Sequence, residues 1–161
     1  MTLHLSHITY GISGSRTMRI LVDADACPVR HIVIKVAKDH KLPVVMFIDT
    51  SHQLDDGYSE VVTVDQQCDS VDIALINRTN SVDIIVTQDY GLAAMVLGKG
   101  ARAINQNGMI YSSENIDRLL FERHFSQKIR RSGGRTSGPR KRTRVDDERF
   151  EAALRGMIGR Y

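Results

Sequence analysis

Short apolar runs suited to β-strands alternate along this chain with stretches of helical spacing, and that alternation restricts the fold more than any other feature. The runs are Arg19–Val22, Val44–Ile48, Glu60–Val64, Val82–Thr87 and Ala101–Ile104. After the first run, Pro28 suits a first helical turn, where its missing N–H costs nothing. Ile32, Val33, Val36 and Ala37 then recur at helical spacing up to Pro43. Asp69–Asn77 carries Val71, Ala74 and Leu75 on one helical face, and Gly91–Leu97 fits a short helix. A longer helix starts near Ile116, with Glu114 and Asp117 at its first turn, and runs to about Ile129. Strands separated by helices pair in parallel, because a parallel pair needs a long crossover, and the crossover helices cover both faces of the sheet. An α/β fold follows, with a central, mostly parallel sheet flanked by helices. Two places are irregular. "SHQLDDGYSE", with its turn signal at Asp56-Gly57, is short for a helical crossover, so the third strand is expected to be short, antiparallel or an edge. Met109–Tyr111, after the turn "NQNG", reads as a small sixth strand.

A chain of 161 residues can bury a sizeable core without disulfides or structural metals. Its 42% apolar and 25% charged residues exclude both a disordered and a membrane-embedded class. No run approaches the roughly 20 apolar residues of a membrane span. Residues 1–17 lack the apolar stretch of a secretory signal and read as a flexible N-terminal extension. Cys27 and Cys68 form no CxxC pair and read as free thiols, which suits a reducing cytoplasm.

The net charge of +3 hides a split. Residues 1–127 carry 11 Lys and Arg against 15 Asp and Glu, whereas residues 128–161 carry 11 against 4. Within "KIRRSGGRTSGPRKRTR", residues 128–144, stand Lys128, Arg130, Arg131, Arg135, Arg140, Lys141, Arg142 and Arg144, with no acid among them. Gly133, Gly134, Gly138 and Pro139 argue against a regular helix there. Such a stretch is expected to contact nucleic-acid phosphates in a salt-dependent way, or to be a solvated linker. No aromatic residue interrupts it, which argues against base stacking. Val145, Phe150, Leu154 and Ile158 then mark one face of an amphipathic helix. The expected organisation is an extension over 1–17, an α/β domain over 18–129, and a basic arm with a C-terminal helix over 130–161.

Carboxylates gather where chemistry is expected. In an open parallel sheet, ligands sit beyond the carboxyl ends of the strands. Asp23 ends the first run and Asp25 follows two residues later. Asp89 follows the fourth run in "IIVTQDYGLA". Asp69 and Asp72 share a face of the helix before it, at i and i+3. Taken singly, each has a plain alternative: Asp25 or Cys27 as the lead into the Pro28 helix, Asp69 and Asp89 as helix caps. Taken together, they are expected to hold Mg²⁺ or Mn²⁺, because hard cations prefer oxygen ligands and remove the repulsion between carboxylates. A cation so held generates a hydroxide nucleophile and stabilises charge on a phosphoryl oxygen. Thr87 is read either as a partner of such a site or as an ordinary strand end, Asp65 and Asp83 as structural or solvent-facing. Cys27 is read as a small buried residue, and Asn105, Asn107 and Gly108 as turn chemistry.

"VDADACPV", "DQQCDSVDIALI", "IVTQDYGLAA", "INQNGMIYSSENID" and "SGGRTSGPRKRTRVDDERF" together resemble the YaiI/YqxD family of small uncharacterised bacterial proteins, over about residues 18–158. That family looks like a branch of the PIN-domain-like nucleases, so the resemblance implies a PIN-like three-layer fold. Asp23 matches the PIN acid at the end of strand one. Asp72, with Asp69 as rival, matches the acid on the mid-chain helix, and Asp89 in "TQDYGL" matches the third. Asp25 is this family's own addition. Tyr90 and Gly91 stand near where many PIN domains carry a fourth acid.

The leading expectation is a metal-dependent phosphodiesterase acting on RNA or another phosphodiester. Asp23, Asp69, Asp72 and Asp89 would be the metal ligands, Asp25 a further ligand or the group orienting water, and the arm the holder of phosphates. A non-catalytic module binding RNA or protein is the first alternative. A phosphatase using Asp23 as nucleophile is the second, though Cys27 stands where such enzymes expect Thr or Val.

Overall fold

The computed structural model describes residues 16–49, 51, 53–65, 70–135, 137, 138 and 140–160. Cys68, Asp69 and most of the segment 1–17 therefore lie outside the described residues. The elements run β1 (Ile20–Asp23), α1 (Arg30–His40), β2 (Val44–Asp49), β3 (Glu60–Val64), α2 (Ser70–Arg78), β4 (Ile84–Val86), α3 (Tyr90–Gly98), β5 (Arg102–Ile104), α4 (Ile116–Arg131) and α5 (Arg144–Ile158). The five strands form one sheet in the order β3-β2-β1-β4-β5, and every pairing is parallel.

The sheet is a middle layer. Ile20, Val22, Met46, Ile48, Ile84, Val86 and Ile104 face a core shared with α1 and α5. Leu21, Val45, Phe47, Ile85 and Ala103 face the other core, shared with α2, α3 and the start of α4. These strands are apolar on both faces because both faces are covered, as parallel sheets require. The α/β, three-layer architecture expected from the strand–helix alternation is the one observed.

Three local expectations are refined. β3 is a parallel edge strand although no helix among the described residues links it to β2. The link itself covers the α1 face: Leu54 and Tyr58 pack on that core, and Tyr58 donates its hydroxyl to the Leu42 carbonyl at 2.7 Å. Asp56 turns the chain by accepting from the N–H groups of Tyr58 and Ser59. Pro28 stands just outside α1, whose first N–H groups, on Ile32 and Val33, both donate to the Val29 carbonyl. The segment Met109–Tyr111 forms a single antiparallel bridge, Ile104 with Ile110, instead of a strand.

α5 packs across α1. Phe150, Leu154 and Met157 are buried, and Arg155 bridges to Asp39 at 2.6 Å. Val145 is 59% exposed, contrary to its expected place on that face. At about 100° per residue, five positions before Phe150 turns it roughly 140° away. No helix among the described residues is long and apolar enough to cross a membrane.

Candidate functional site

β1 and β4 lie side by side where the crossovers diverge: α1 carries the chain from β1 to β2, and α3 carries it from β4 to β5 on the opposite face. Loops leaving two such strands splay apart and open a crevice at the carboxyl edge of the sheet. Asp23, Thr87 and Gln88 line this crevice on its inner side with Asp25 and Cys27. Asp23, Gln88, Asp89, Tyr90 and Arg123 line a wider cavity of ≈ 420 Å³ beside it. The pleat sets the direction: Val22 faces the α1–α5 core and Leu21 the α2–α3 core, so Asp23 turns to the α2–α3 side.

Thr87 organises the centre. It is buried, its hydroxyl donates to Asp23 Oδ2 at 3.1 Å, and its Oγ1 accepts the Asp89 N–H at 3.0 Å. Tyr111 donates its hydroxyl to the Thr87 carbonyl at 3.1 Å and meets Tyr90 edge-on. Burial, together with Tyr90 and Asp89, holds the Tyr111 phenol protonated far above its ordinary range. Asp89 is the N-cap of α3, its Oδ1 accepting from Leu92 N at 3.0 Å, and it still faces the cavity. The capping reading holds for this residue, and the cap leaves it lining the cavity. Gly91 leaves room for that cap, since a Cβ there would stand 3.1 Å from Asp89 Oδ1.

Asp25 does not cap α1; its Oδ2 accepts the Asp49 N–H at 3.0 Å. The Ala24 N–H still pairs with the Phe47 carbonyl, and the next rung of a parallel ladder would run from Asp49 N–H to the Ala24 carbonyl. That carbonyl instead receives the Cys27 N–H in a turn where Ala26 has φ 53°, and the Asp25 carboxylate takes over the rung. Burial pushes the Cys27 thiol up, which keeps it protonated. At the opposite edge of the sheet, fully buried Asp83 is structural: it pairs with Arg19 at 2.7 Å and accepts from Asn80 N.

Burial raises the Asp23 pKa to about 6, with the charges of Asp72, Asp25 and Asp89 pushing the same way against the Thr87 hydrogen bond. Three of the expected carboxylates thus act on the fourth. An oxygen-only donor set of this kind suits a hard divalent cation. Yet among the described residues no three His, Cys, Asp or Glu side chains are grouped closely enough to hold an ion. One oxygen each of Asp23, Asp25 and Asp89 is also taken by a protein donor.

The basic segment divides in two. Arg140 pairs with Asp146 at 2.6 Å and Arg142 with Asp147 at 2.6 Å, which ties the chain to the first turn of α5, while Arg144 pairs with Glu148 at 2.9 Å within that helix. The Arg140 guanidinium, with Thr143, holds the Asp146 carboxyl well below the usual carboxylate range. Arg142 also donates to Asn107 Oδ1 at 3.3 Å, in the turn where Asn105 Oδ1 accepts from the N–H groups of Asn107 and Met109. Lys128, Arg130, Arg131, Arg135 and Lys141 are exposed, and among the described residues they form no ion pair.

Arg123 is the residue that the sequence reading missed. It projects from α4 into the wide cavity, 3.5 Å from Asp89. The signal was present: Ile116, Leu119 and Arg123 fall on one helical face, and an arginine there continues a buried stripe.

The profile of a family described as "Uncharacterized BCR, YaiI/YqxD family" matches residues 21–160. A UPF0178 protein of Ruminiclostridium cellulolyticum is 66% identical over 137 residues, covering 85% of this chain and 90% of the relative. One from Clostridium tetani is 54% identical over 143 residues, covering 89% and 98%. Among solved structures, Rae1 (YacP) from Bacillus subtilis aligns over 90% of this chain and 99% of its own, with 13% identity and a TM-score of 0.36. That likeness is too distant to carry an argument.

Proposed function

Since the chain belongs to the YaiI/YqxD family, whose profile spans the sheet and the last helix alike, we propose that its shared chemistry lies at the crevice between β1 and β4. The reading is a phosphodiesterase dependent on Mg²⁺ or Mn²⁺, with RNA as the substrate class. It rests on one observation above all: Asp72 and Asp89 bear electrostatically on the half-buried Asp23 at the switch point of the sheet. A bound cation would convert that repulsion into attraction, and would supply an activated water and charge stabilisation at a phosphoryl oxygen. Asp23, Asp72 and Asp89 are the proposed ligands, with Asp69 as a further candidate. Thr87 orients Asp23, and Asp25 is a positioning residue that fixes the β1–β2 edge beneath it. The exposed cations from Lys128 to Lys141 extend the contact to backbone phosphates.

The test is hydrolysis of a fluorogenic phosphodiester and of single-stranded RNA with Mn²⁺. Asp23→Asn and Asp89→Asn are each expected to lower the rate by at least about a hundredfold. Equal rates in all three proteins would refute the catalytic reading. A non-catalytic RNA-binding module is favoured by a different observation, that the described carboxylates form no three-ligand group. Salt-sensitive RNA binding with no Mn²⁺ binding in calorimetry would select it.

A further inference from the structure

Among the described residues that line the wide cavity beside Asp23, Arg123 is the one cation, and its pairing is poor. Arg123 approaches Asp89 Oδ1 at 3.5 Å, yet that oxygen already accepts the Leu92 N–H at 3.0 Å and no hydrogen bond from Arg123 completes the pair. Both partners are partly in water, 44% and 34% exposed, where an ion pair contributes little. The backbone that carries Arg123 is nonetheless firmly placed. Ile116 and Leu119 bury the start of α4 against the core, and the Asn115 side chain ties that start to Ile110 and Ser112. A long cationic side chain on a fixed base, weakly held at the mouth of a ≈ 420 Å³ cavity, is free to exchange one anion for another.

We infer that Arg123 is the phosphate-receiving residue of this site: it serves as Asp89's counter-ion while the cavity is empty, and turns to a backbone phosphate of a nucleic-acid strand when one enters. This deepens the reading above and rests on it for the identity of the substrate. The chemistry favours arginine, because the planar guanidinium meets two phosphate oxygens at once, which a lysine cannot do. Gln88, exposed, lines both parts of the crevice and adds a neutral amide to the walls that Arg123 and Asp23 share. Phe121 and Phe125 stack on each other on the same helix, exposed, but they lie on its opposite face and take no part. The exchange has a consequence that distinguishes it from a structural salt bridge. Arg123 competes with a divalent cation for Asp89, and it attracts the phosphate, so its removal must move the two affinities in opposite directions.

Full-length wild type, Arg123→Gln and Arg123→Lys are compared in two titrations. One uses a fluorescein-labelled, 2′-O-methyl single-stranded RNA of about ten nucleotides, in EDTA, followed by anisotropy across a salt series. The other uses Mn²⁺ alone, followed by calorimetry. Arg123→Gln is expected to weaken RNA binding by about five- to tenfold and to reduce the salt slope by about one contact. It is expected to tighten Mn²⁺ binding by about two- to fivefold, because a positive charge has left the ligand set. Arg123→Lys should keep the salt slope and lose part of the affinity. Unchanged RNA affinity in Arg123→Gln, or Mn²⁺ binding that weakens, would overturn the inference, as would wild type that binds no RNA. If wild type binds no Mn²⁺ while the RNA arm behaves as expected, the metal reading falls and the phosphate role of Arg123 stands.

Discussion

Asp23 is the residue on which pH acts most directly. Its folded pKa of about 6 lies above the value of roughly 4 in an unfolded chain, so the folded state holds this proton more tightly. Stability therefore falls as pH rises from about 4 to 6, and the penalty is fully present above that window. Asp23→Asn keeps an acceptor for Thr87 and removes the charge. It is expected to stabilise the protein at pH 7.5 by about 1–2 kcal/mol, a figure discounted for partial exposure, and to change little at pH 4. Thermal melts at the two pH values check this, and a lower Tm for the variant at pH 7.5 would count against it. Much of this residue-level picture was legible in the sequence, because an aspartate ending an apolar run cannot be core. The partners were not legible. Thr87 between Asp23 and Asp89, Asp25 on the Asp49 N–H and Arg123 beside Asp89 all depend on contacts between distant segments.

At the scale of elements, α5 shows what a local pattern can and cannot tell. Its helical period was plain in the sequence, but the element it packs against was not, because that depends on a segment about a hundred residues earlier in the chain. In the structure the stretch before it is stitched to the helix by Arg140 and Arg142, and Thr143 with Asp146 closes a capping box. Phe150 and Leu154, both fully buried, complete the core on the α1 face. Phe150→Ala is expected to cost about 3–5 kcal/mol and Leu154→Ala about 2–5 kcal/mol, read from denaturant midpoints. The turn at Gly108 couples to the same helix: φ is 83°, and a Cβ there would stand 2.9 Å from the Arg149 carbonyl oxygen. Gly108→Ala should lower Tm by several degrees, and a neutral result would show that α5 can slide away from the turn.

For the whole molecule, the strand order decides what the site can be. The order β3-β2-β1-β4-β5 puts the ends of β1 and β4 side by side, and no local pattern encodes that adjacency. The alternation of strands and helices implied a parallel sheet; only the packing of both faces selects which strands touch. The proposed cation at this crevice would link stability to ligand. Mn²⁺ at about a hundred times its Kd should stabilise wild type by about 2.7 kcal/mol, and Asp23→Asn should show little of that gain. Equal shifts in Tm for the two proteins would place the ion elsewhere. The packing of α5 also sets an order in time. Chains are made from the N-terminus, and the helix that seals the α1 face is the last described element to be synthesised. Until it emerges, the part of the α1-face core that Phe150, Leu154 and Met157 fill stays open, so a chain stalled before residue 144 should present a greasy surface to chaperones although all five described strands and the crevice carboxylates have already been made.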